Sequence, residues 1–259
     1  MTNPPVMAIL LDVEGTLFAK GKALPGAAAA VAELRERGLG IRFLTNIDSK
    51  SPEAVAENLA GTGLEVKLED LFTPVSAALA FFSGSTEPRV LKLLSTALQD
   101  GFAGLEATAP FTHVLVGDCR DVLDYPLLDG AFRALRAGAD LIALQRGRYF
   151  LRDDGDHLDT GGVVAALEYS AGVQARVLGK PSTDFFALAA GSLGVSIQEC
   201  VVVGDDATTD IAGGLEAGAR TVQVRTGKYA DQQDEGVTSP ADATIDSVAD
   251  LPALLAQGL

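Results

Sequence analysis

Cysteine is scarce in this chain. Cys119 and Cys200 lie far apart and match no metal-binding or redox spacing, so they read as small buried hydrophobes and imply a reducing compartment. Histidine is just as scarce: His113 falls in a strand pattern and His157 beside a turn, and both read as structural or solvated residues. Basic residues are outnumbered, with 20 Lys and Arg against 35 Asp and Glu, which leaves a formal net charge of −15. Such a surface repels nucleic acid and anionic membranes, so the expected partners are small molecules and cations. Long apolar runs are missing too. The opening MTNPPVMAILLD lacks a basic segment, and Asp12 interrupts its apolar stretch short of a leader or membrane span, so the expected location is the cytoplasm. There is no internal repeat and no low-complexity tract.

What is present is a chain of 259 residues, 47% of them hydrophobic, enough for one large core or two modest ones. Strand-like apolar runs alternate with helix-period segments, the pattern of a parallel sheet with crossover helices. Residues 6–11 read as the first strand, AAAAVAELRER as a helix stopped by Gly38, and residues 40–44 as a second strand. Ser51-Pro52-Glu53 opens another helix, with Ser as cap and Pro at the first position. FSGSTEP, residues 82–88, marks a boundary, after which residues 113–117 and 141–145 read as strands around a helix over 127–137. A hairpin turning at RDDGD and a helix over 162–170 complete this section, which reads as an inserted domain. The first pattern then returns, with strands at 175–178, 200–203 and 221–224 and helices at 183–193, 208–217 and 248–256. The expected fold is therefore α/β, a Rossmann-like parallel-sheet core over 1–82 and 176–259 with an inserted α/β cap over 83–175.

Ligands of open α/β sheets bind beyond the carboxyl ends of the strands, which directs attention to the residues just after each one. These are Asp12 and Glu14, Thr45 and Asn46, Lys180, then Asp205, Asp206 and Asp210. Carboxylates crowded this closely repel one another unless a cation sits between them, and hard oxygen ligands favour Mg2+. Lys180 and the Thr45 hydroxyl supply the charge and donors that a phosphoryl group requires. An Asp held beside such groups can attack phosphorus and divide hydrolysis into two easier steps.

Four ordered segments carry a resemblance: DVEGT at Asp12 to Thr16, FLTN at Phe43 to Asn46, GKPS at Gly179 to Ser182 and GDDATTD at Gly204 to Asp210. They resemble the motifs of the haloacid dehalogenase-like hydrolase superfamily. The long insert is similar to the cap of its subfamily IIA, the nucleotide and 4-nitrophenyl phosphatases. Within that subfamily, LIALQRGRYF, AALEYSAGV and VRTGKY are similar to the phospholysine phosphohistidine inorganic pyrophosphate phosphatase branch.

The resemblance implies a Mg2+-dependent phosphatase acting on a small phosphorylated metabolite, pyrophosphate or a phosphoramidate. Asp12 would be the nucleophile and a metal ligand, Glu14 a ligand through its backbone carbonyl, and Asp205 a direct ligand. Thr45 and Asn46 would hold the phosphate and Lys180 would neutralise nucleophile and phosphate, while Asp206 and Asp210 would stand behind the ligands or act through water. A homodimer through the cap is implied as well.

At the position of Glu14 most of the superfamily carries Asp, which protonates the leaving group and later activates water. Glu keeps the acid but moves it by about 1.5 Å. A phosphomutase on the same core, or a phosphate-binding protein weakened by Glu14, are the alternatives; a signalling receiver domain ranks last because its chain is much shorter. Dehalogenase chemistry does not fit, since the Asp205–Asp210 cluster suits a metal.

Other features have simpler readings. Asp206 and Asp210 equally suit caps for the helix near Thr208. No phosphate-loop pattern surrounds Gly213 and Gly214, which read as sites of close helix packing. Thr226-Gly227-Lys228 reads as a loop near the site, and RDDGD as a solvated hairpin tip rather than a calcium loop. Gln145, Arg146 and Arg148 follow a strand and are candidates for substrate contact, although exposed basic residues are common on a cap.

Overall fold

The structure is a computed structural model that describes residues 4–19, 22–60, 64, 66–152 and 154–259. The chain divides into two compact units, one running up to Thr45 and then over Pro52–Phe72 and Lys180–Leu259, the other made of Asn46–Ser51 and Thr73–Gly179.

The first unit is built on a six-stranded sheet in the order Ala243–Ile245, Arg220–Val224, Cys200–Gly204, Ala8–Asp12, Gly40–Leu44 and Leu71–Phe72. Every neighbouring pair is parallel. The central strands AILLD and CVVVG are buried along their whole length, which is why they read as unbroken apolar runs rather than alternating ones. The chain starts in the middle of this sheet, moves outward through Gly40–Leu44, and returns to the other side of its first strand with Cys200–Gly204. The strand order therefore reverses between Ala8–Asp12 and Cys200–Gly204, and a crevice opens at such a reversal. The register pairs Leu11 with Val203 and Asp12 with Leu44, so Asp12, Thr45 and Asp205 leave the sheet at one edge.

The second unit has its own parallel sheet, ordered Arg176–Val177, Asp140–Ala143, His113–Val116 and Val90–Leu93. Helices Tyr125–Arg136 and Thr160–Ala171 bury Ala131, Leu135, Val164 and Leu167 against Val114, Val116 and Leu141. Each helix is capped by an aspartate, Asp124 accepting from the Leu127 amide and Asp159 from the Thr160 amide, both at 2.8 Å. A hairpin joins Tyr149–Arg152 to Gly155–Leu158, with Asp153 of its turn outside the described residues.

Several elements differ from the sequence reading. The strand expected at 175–178 belongs to the second unit, where Arg176–Val177 pairs with Asp140–Ala143, rather than to the core. The second unit begins at Thr73 instead of 83, because helix Pro74–Ser83 turns Phe81 and Phe82 edge-on to His113 at centroid distances of 5.8 and 5.3 Å. The first strand lies over Ala8–Asp12, which makes Asp12 its last ladder residue. The helix expected at 208–217 is a π-type turn over Ala207–Ile211 followed by a short helix, Ala212–Ala217. Leu71–Phe72, Val90–Leu93 and Ala243–Ile245 are too short to show a period. Among the described residues no helix is long and apolar enough to cross a membrane.

Asp48 is buried in the second unit and accepts a 2.6 Å hydrogen bond from the Thr160 hydroxyl. Burial, with Asp159 and Asp118 adding repulsion and Thr160 and Gln145 opposing, raises its carboxyl from 3.8 to about 7. The folded chain thus holds this proton more tightly than the unfolded one. Its contribution to stability is complete below the ordinary aspartate value and is lost as pH rises through about 7. Asp48→Asn keeps the shape and removes the proton, so the decline in unfolding free energy between about pH 5 and 8 should shrink by on the order of 2 kcal/mol. Denaturant titrations across that range check this, and an unchanged slope would contradict it.

Candidate active site

Lys180 is 4% exposed, and its ammonium donates to Asp12 Oδ1 at 2.5 Å and to Asp210 Oδ1 at 2.6 Å. It follows directly on the second unit and precedes helix Thr183–Gly191, while Asp12 ends the central strand and Asp210 sits in the π-type turn. Gly204 makes the Asp210 placement possible, since a Cβ there would fall on the Asp210 carboxylate. The other Asp210 oxygen accepts from the Asp206 amide at 3.2 Å.

Asp205 completes the group. Carboxylate oxygens of Asp12, Asp205 and Asp210 lie within 4.8 Å of one another, all three residues being buried. Three carboxylates against one ammonium leave two negative charges uncompensated when all are ionised. The carboxyls respond accordingly. Burial raises Asp12 to about 6, with Lys180 opposing and Asp205 adding to the rise. Burial and Asp210 raise Asp205 to about 6, and burial likewise lifts Asp210, with Lys180 opposing. For Lys180, burial works against the charged form, but Asp12 and Asp210 outweigh it and hold the amine protonated.

A divalent cation fits this donor set. It would cancel the two surplus charges, and Asp12 Oδ2 is a buried oxygen with no hydrogen-bond partner among the described residues, an arrangement that otherwise costs stability. All candidate donors are hard oxygens.

The remaining sequence candidates separate by geometry. Asp206 is surrounded by donors: the Thr208 amide and hydroxyl, the Thr209 amide, Gln232 Nε2 and Lys228 Nζ. Burial disfavours its charge, yet Lys228 and these hydrogen bonds prevail and hold its pKa well below the usual range. Its carboxylate is committed to capping the turn and holding the Lys228 side chain. Thr45 follows the strand beside Asp12 and is buried, its amide donating to Phe72 O at 3.3 Å. Asn46 falls in the second unit. Glu14 is exposed as a residue, and shielding of its carboxyl by surrounding protein raises its pKa, with Lys228 opposing.

Gln145 is buried and occupied internally, donating to Asp159 Oδ1 at 2.8 Å and accepting from the Gly147 amide. Arg146 pairs with buried Glu168 at 2.5 Å, and both Arg146 and Arg148 line an open depression of about 520 Å3 with Gly161, Gly162 and Ala165. His113 packs against Phe81 and Phe82, and His157 pairs with Asp154 at 2.8 Å.

Two contributors add to the sequence candidates, one of them in the Thr226-Gly227-Lys228 segment expected as a loop near the site. Thr16 is fully buried with its hydroxyl 3.4 Å from Asp205 Oδ1, and the Lys228 amide donates to Asp205 Oδ2 at 2.7 Å. The Gly-Thr after Glu14 was the available signal for the first; a backbone donor has none.

A haloacid dehalogenase-like hydrolase family model matches residues 9–107, and a second HAD-hydrolase-like model matches 177–251. Haloacid dehalogenase-like hydrolase domain-containing protein 2 of Pongo abelii is 35% identical over 240 residues, covering 93% of this chain and 92% of the relative. Phospholysine phosphohistidine inorganic pyrophosphate phosphatase of Danio rerio is 34% identical over 251 residues, covering 94% and 92%. The solved p-nitrophenyl phosphatase from Archaeoglobus fulgidus superposes with a TM-score of 0.88 at 28% identity, over 97% of this chain and all of that one. With the carboxylate–lysine cluster set at the reversal of strand order and relatives matched along nearly its whole length, the chain belongs to the haloacid dehalogenase-like hydrolases.

Proposed function

We propose that this protein is a Mg2+-dependent phosphatase that hydrolyses a small phosphorylated metabolite, pyrophosphate or a phosphoramidate through an aspartyl-phosphate on Asp12. The observation that carries this reading is the buried Lys180 bridging Asp12 and Asp210 while Asp12 Oδ2 has no hydrogen-bond partner among the described residues. One oxygen of the nucleophile is anchored and the other is available.

Asp12, Asp205 and the Glu14 carbonyl would hold the cation. Bound there, Mg2+ would supply charge neutralisation for the carboxylates and the incoming phosphate. In the first step a carboxylate oxygen of Asp12 bonds to phosphorus, the bond from phosphorus to the leaving group breaks, and Glu14 protonates the departing atom. In the second, Glu14 takes a proton from water as its oxygen bonds to phosphorus, the Asp12–phosphorus bond breaks and inorganic phosphate leaves. Lys180 faces the charge that accumulates in both steps, and Thr45 contacts the phosphoryl oxygens.

The names of the relatives, a phosphohistidine and pyrophosphate phosphatase and a p-nitrophenyl phosphatase, support substrates whose leaving groups need little protonation. The substitution of Glu for Asp at position 14 favours the same class. The exposed Tyr125, Tyr149, Leu158 and Tyr169 of the second unit suit a homodimer contact. Two buried, unpaired thiols accord with the cytoplasm.

Phosphate release with Mg2+ over nucleotides, sugar phosphates, pyridoxal phosphate, pyrophosphate and phosphohistidine should identify at least one substrate. Asp12→Asn should lower the rate by about a thousandfold or more, some 4 kcal/mol of barrier. Binding of phosphate mimics without release across the panel would contradict a phosphatase. Glu14→Asp should speed alkyl phosphates more than aryl phosphates, and an equal gain on both would remove the leaving-group argument.

Stability gives an independent check. In chelator, the raised Asp12 and Asp205 carboxyls make the fold lose stability as pH climbs through about 6. Mg2+ at a hundredfold excess over its Kd should add about 2.7 kcal/mol at neutral pH, and Asp205→Asn should abolish most of that increment. Equal increments in both proteins would contradict the assignment of Asp205.

A further inference from the structure

We propose that the turn Thr226-Gly227-Lys228 is a positioning element that orients Asp205 and thereby sets the affinity for the divalent cation, an inference that rests on the metal reading above. Nothing in the chemistry just described uses this turn, yet it touches both loops that carry candidate ligands. The Thr226 hydroxyl donates to the Gly15 carbonyl at 2.6 Å, on the loop that follows Asp12. Gly227 lies flush against the Asp205 carboxylate and Gly15 Cα, so closely that a Cβ there would overlap the carboxylate, and its φ of +57° suits glycine. The Lys228 amide donates to Asp205 Oδ2 at 2.7 Å, and the Lys228 ammonium donates to Asp206 Oδ2 at 2.9 Å.

One residue therefore grips two consecutive aspartates, one through its backbone and one through its side chain. The consequence differs for each. Asp206 is already fixed by Thr208, Thr209 and Gln232, so the ammonium uses it as an anchor that pins the turn in place. Among the described residues Asp205 has few other side-chain restraints: its Oδ1 accepts from the Thr16 hydroxyl at the long distance of 3.4 Å. With Oδ2 held by an amide, the carboxylate cannot rotate freely and Oδ1 is presented as the ligand oxygen. Partners that hold the outer oxygen of a ligating carboxylate typically change metal affinity by about 10–100-fold when removed.

The turn also admits a clean separation of its two grips. Lys228 has a φ of −77°, which proline adopts, so Lys228→Pro removes the amide donor together with the ammonium, whereas Lys228→Met removes the ammonium alone, and the difference between the two variants is the contribution of the amide. The ammonium is largely exposed, so its loss should matter less.

The test is Mg2+ binding to the full chain by calorimetry without substrate, alongside denaturant unfolding in chelator. Lys228→Pro and Gly227→Ala should weaken Mg2+ by about 10–100-fold, and Lys228→Met by a few-fold, while chelated stability of the Lys228 pair stays within about 1 kcal/mol of wild type. Wild-type Mg2+ affinity in Lys228→Pro would overturn the inference, and so would equal losses in the Pro and Met variants. Asp205→Asn separates the two levels: if it too binds Mg2+ as wild type does, the metal reading itself fails, whereas if it alone loses the metal, only the role of the turn fails.

Discussion

A lysine ammonium removed from water is tolerable only if opposite charge meets it at hydrogen-bond distance, and Lys180 has two such partners. The arrangement ties together three parts of the chain that are remote in sequence: the end of the central strand, the segment leading into helix Thr183–Gly191, and the turn after Cys200–Gly204. Removing Lys180 would leave Asp12 and Asp210 as buried carboxylates with no compensating charge between them. The folding of the first unit and the chemistry proposed for it thus depend on the same contacts. The surplus of carboxylate over ammonium fits a divalent cation, which is the physical basis for the proposed metal site.

The sheet topology explains why these groups can meet at all. Strands that run parallel and in register deliver their following residues to one edge, and the reversal of order beside Ala8–Asp12 separates the loops enough to form a crevice. Close approach then depends on missing side chains. Gly204 clears room for Asp210, and Gly213 packs where a Cβ would meet Phe186 and the Pro181 backbone, which keeps the segment after Lys180 close against helix Ala212–Ala217. The acidity of the chain as a whole does not produce the site; four charges placed by the backbone do.

Much of this was legible in the sequence because polar residues ending apolar runs are conspicuous. Asp12, Lys180 and Asp205 stood out for that reason, and the structure brings Asp12 and Lys180 into contact with Asp205 close by. Asp206 was ambiguous, since adjacent aspartates look alike in sequence and only the donors around each distinguish a cap from a free carboxylate. Arg176–Val177 was assigned to the wrong sheet because a two-residue strand carries no information about its partner. The start of the second unit was misjudged for a related reason: FSGSTEP looks like a linker, but the attachment of helix Pro74–Ser83 is decided by the ring contacts of Phe81 and Phe82. The hold on Asp205 by a backbone amide leaves no trace in residue identity.

The account stands on Asp12 being the atom source that bonds to phosphorus. The most direct measurement is borohydride quenching of the enzyme during turnover of a competent substrate with Mg2+, followed by peptide mass spectrometry, because an acyl phosphate is reduced where a free carboxylate is not. Homoserine at position 12, and at no other aspartate, is the result expected. Undiminished turnover with an unmodified Asp12 peptide would mean that water attacks the substrate directly, and the reading of the buried lysine as the partner of a nucleophile would be wrong.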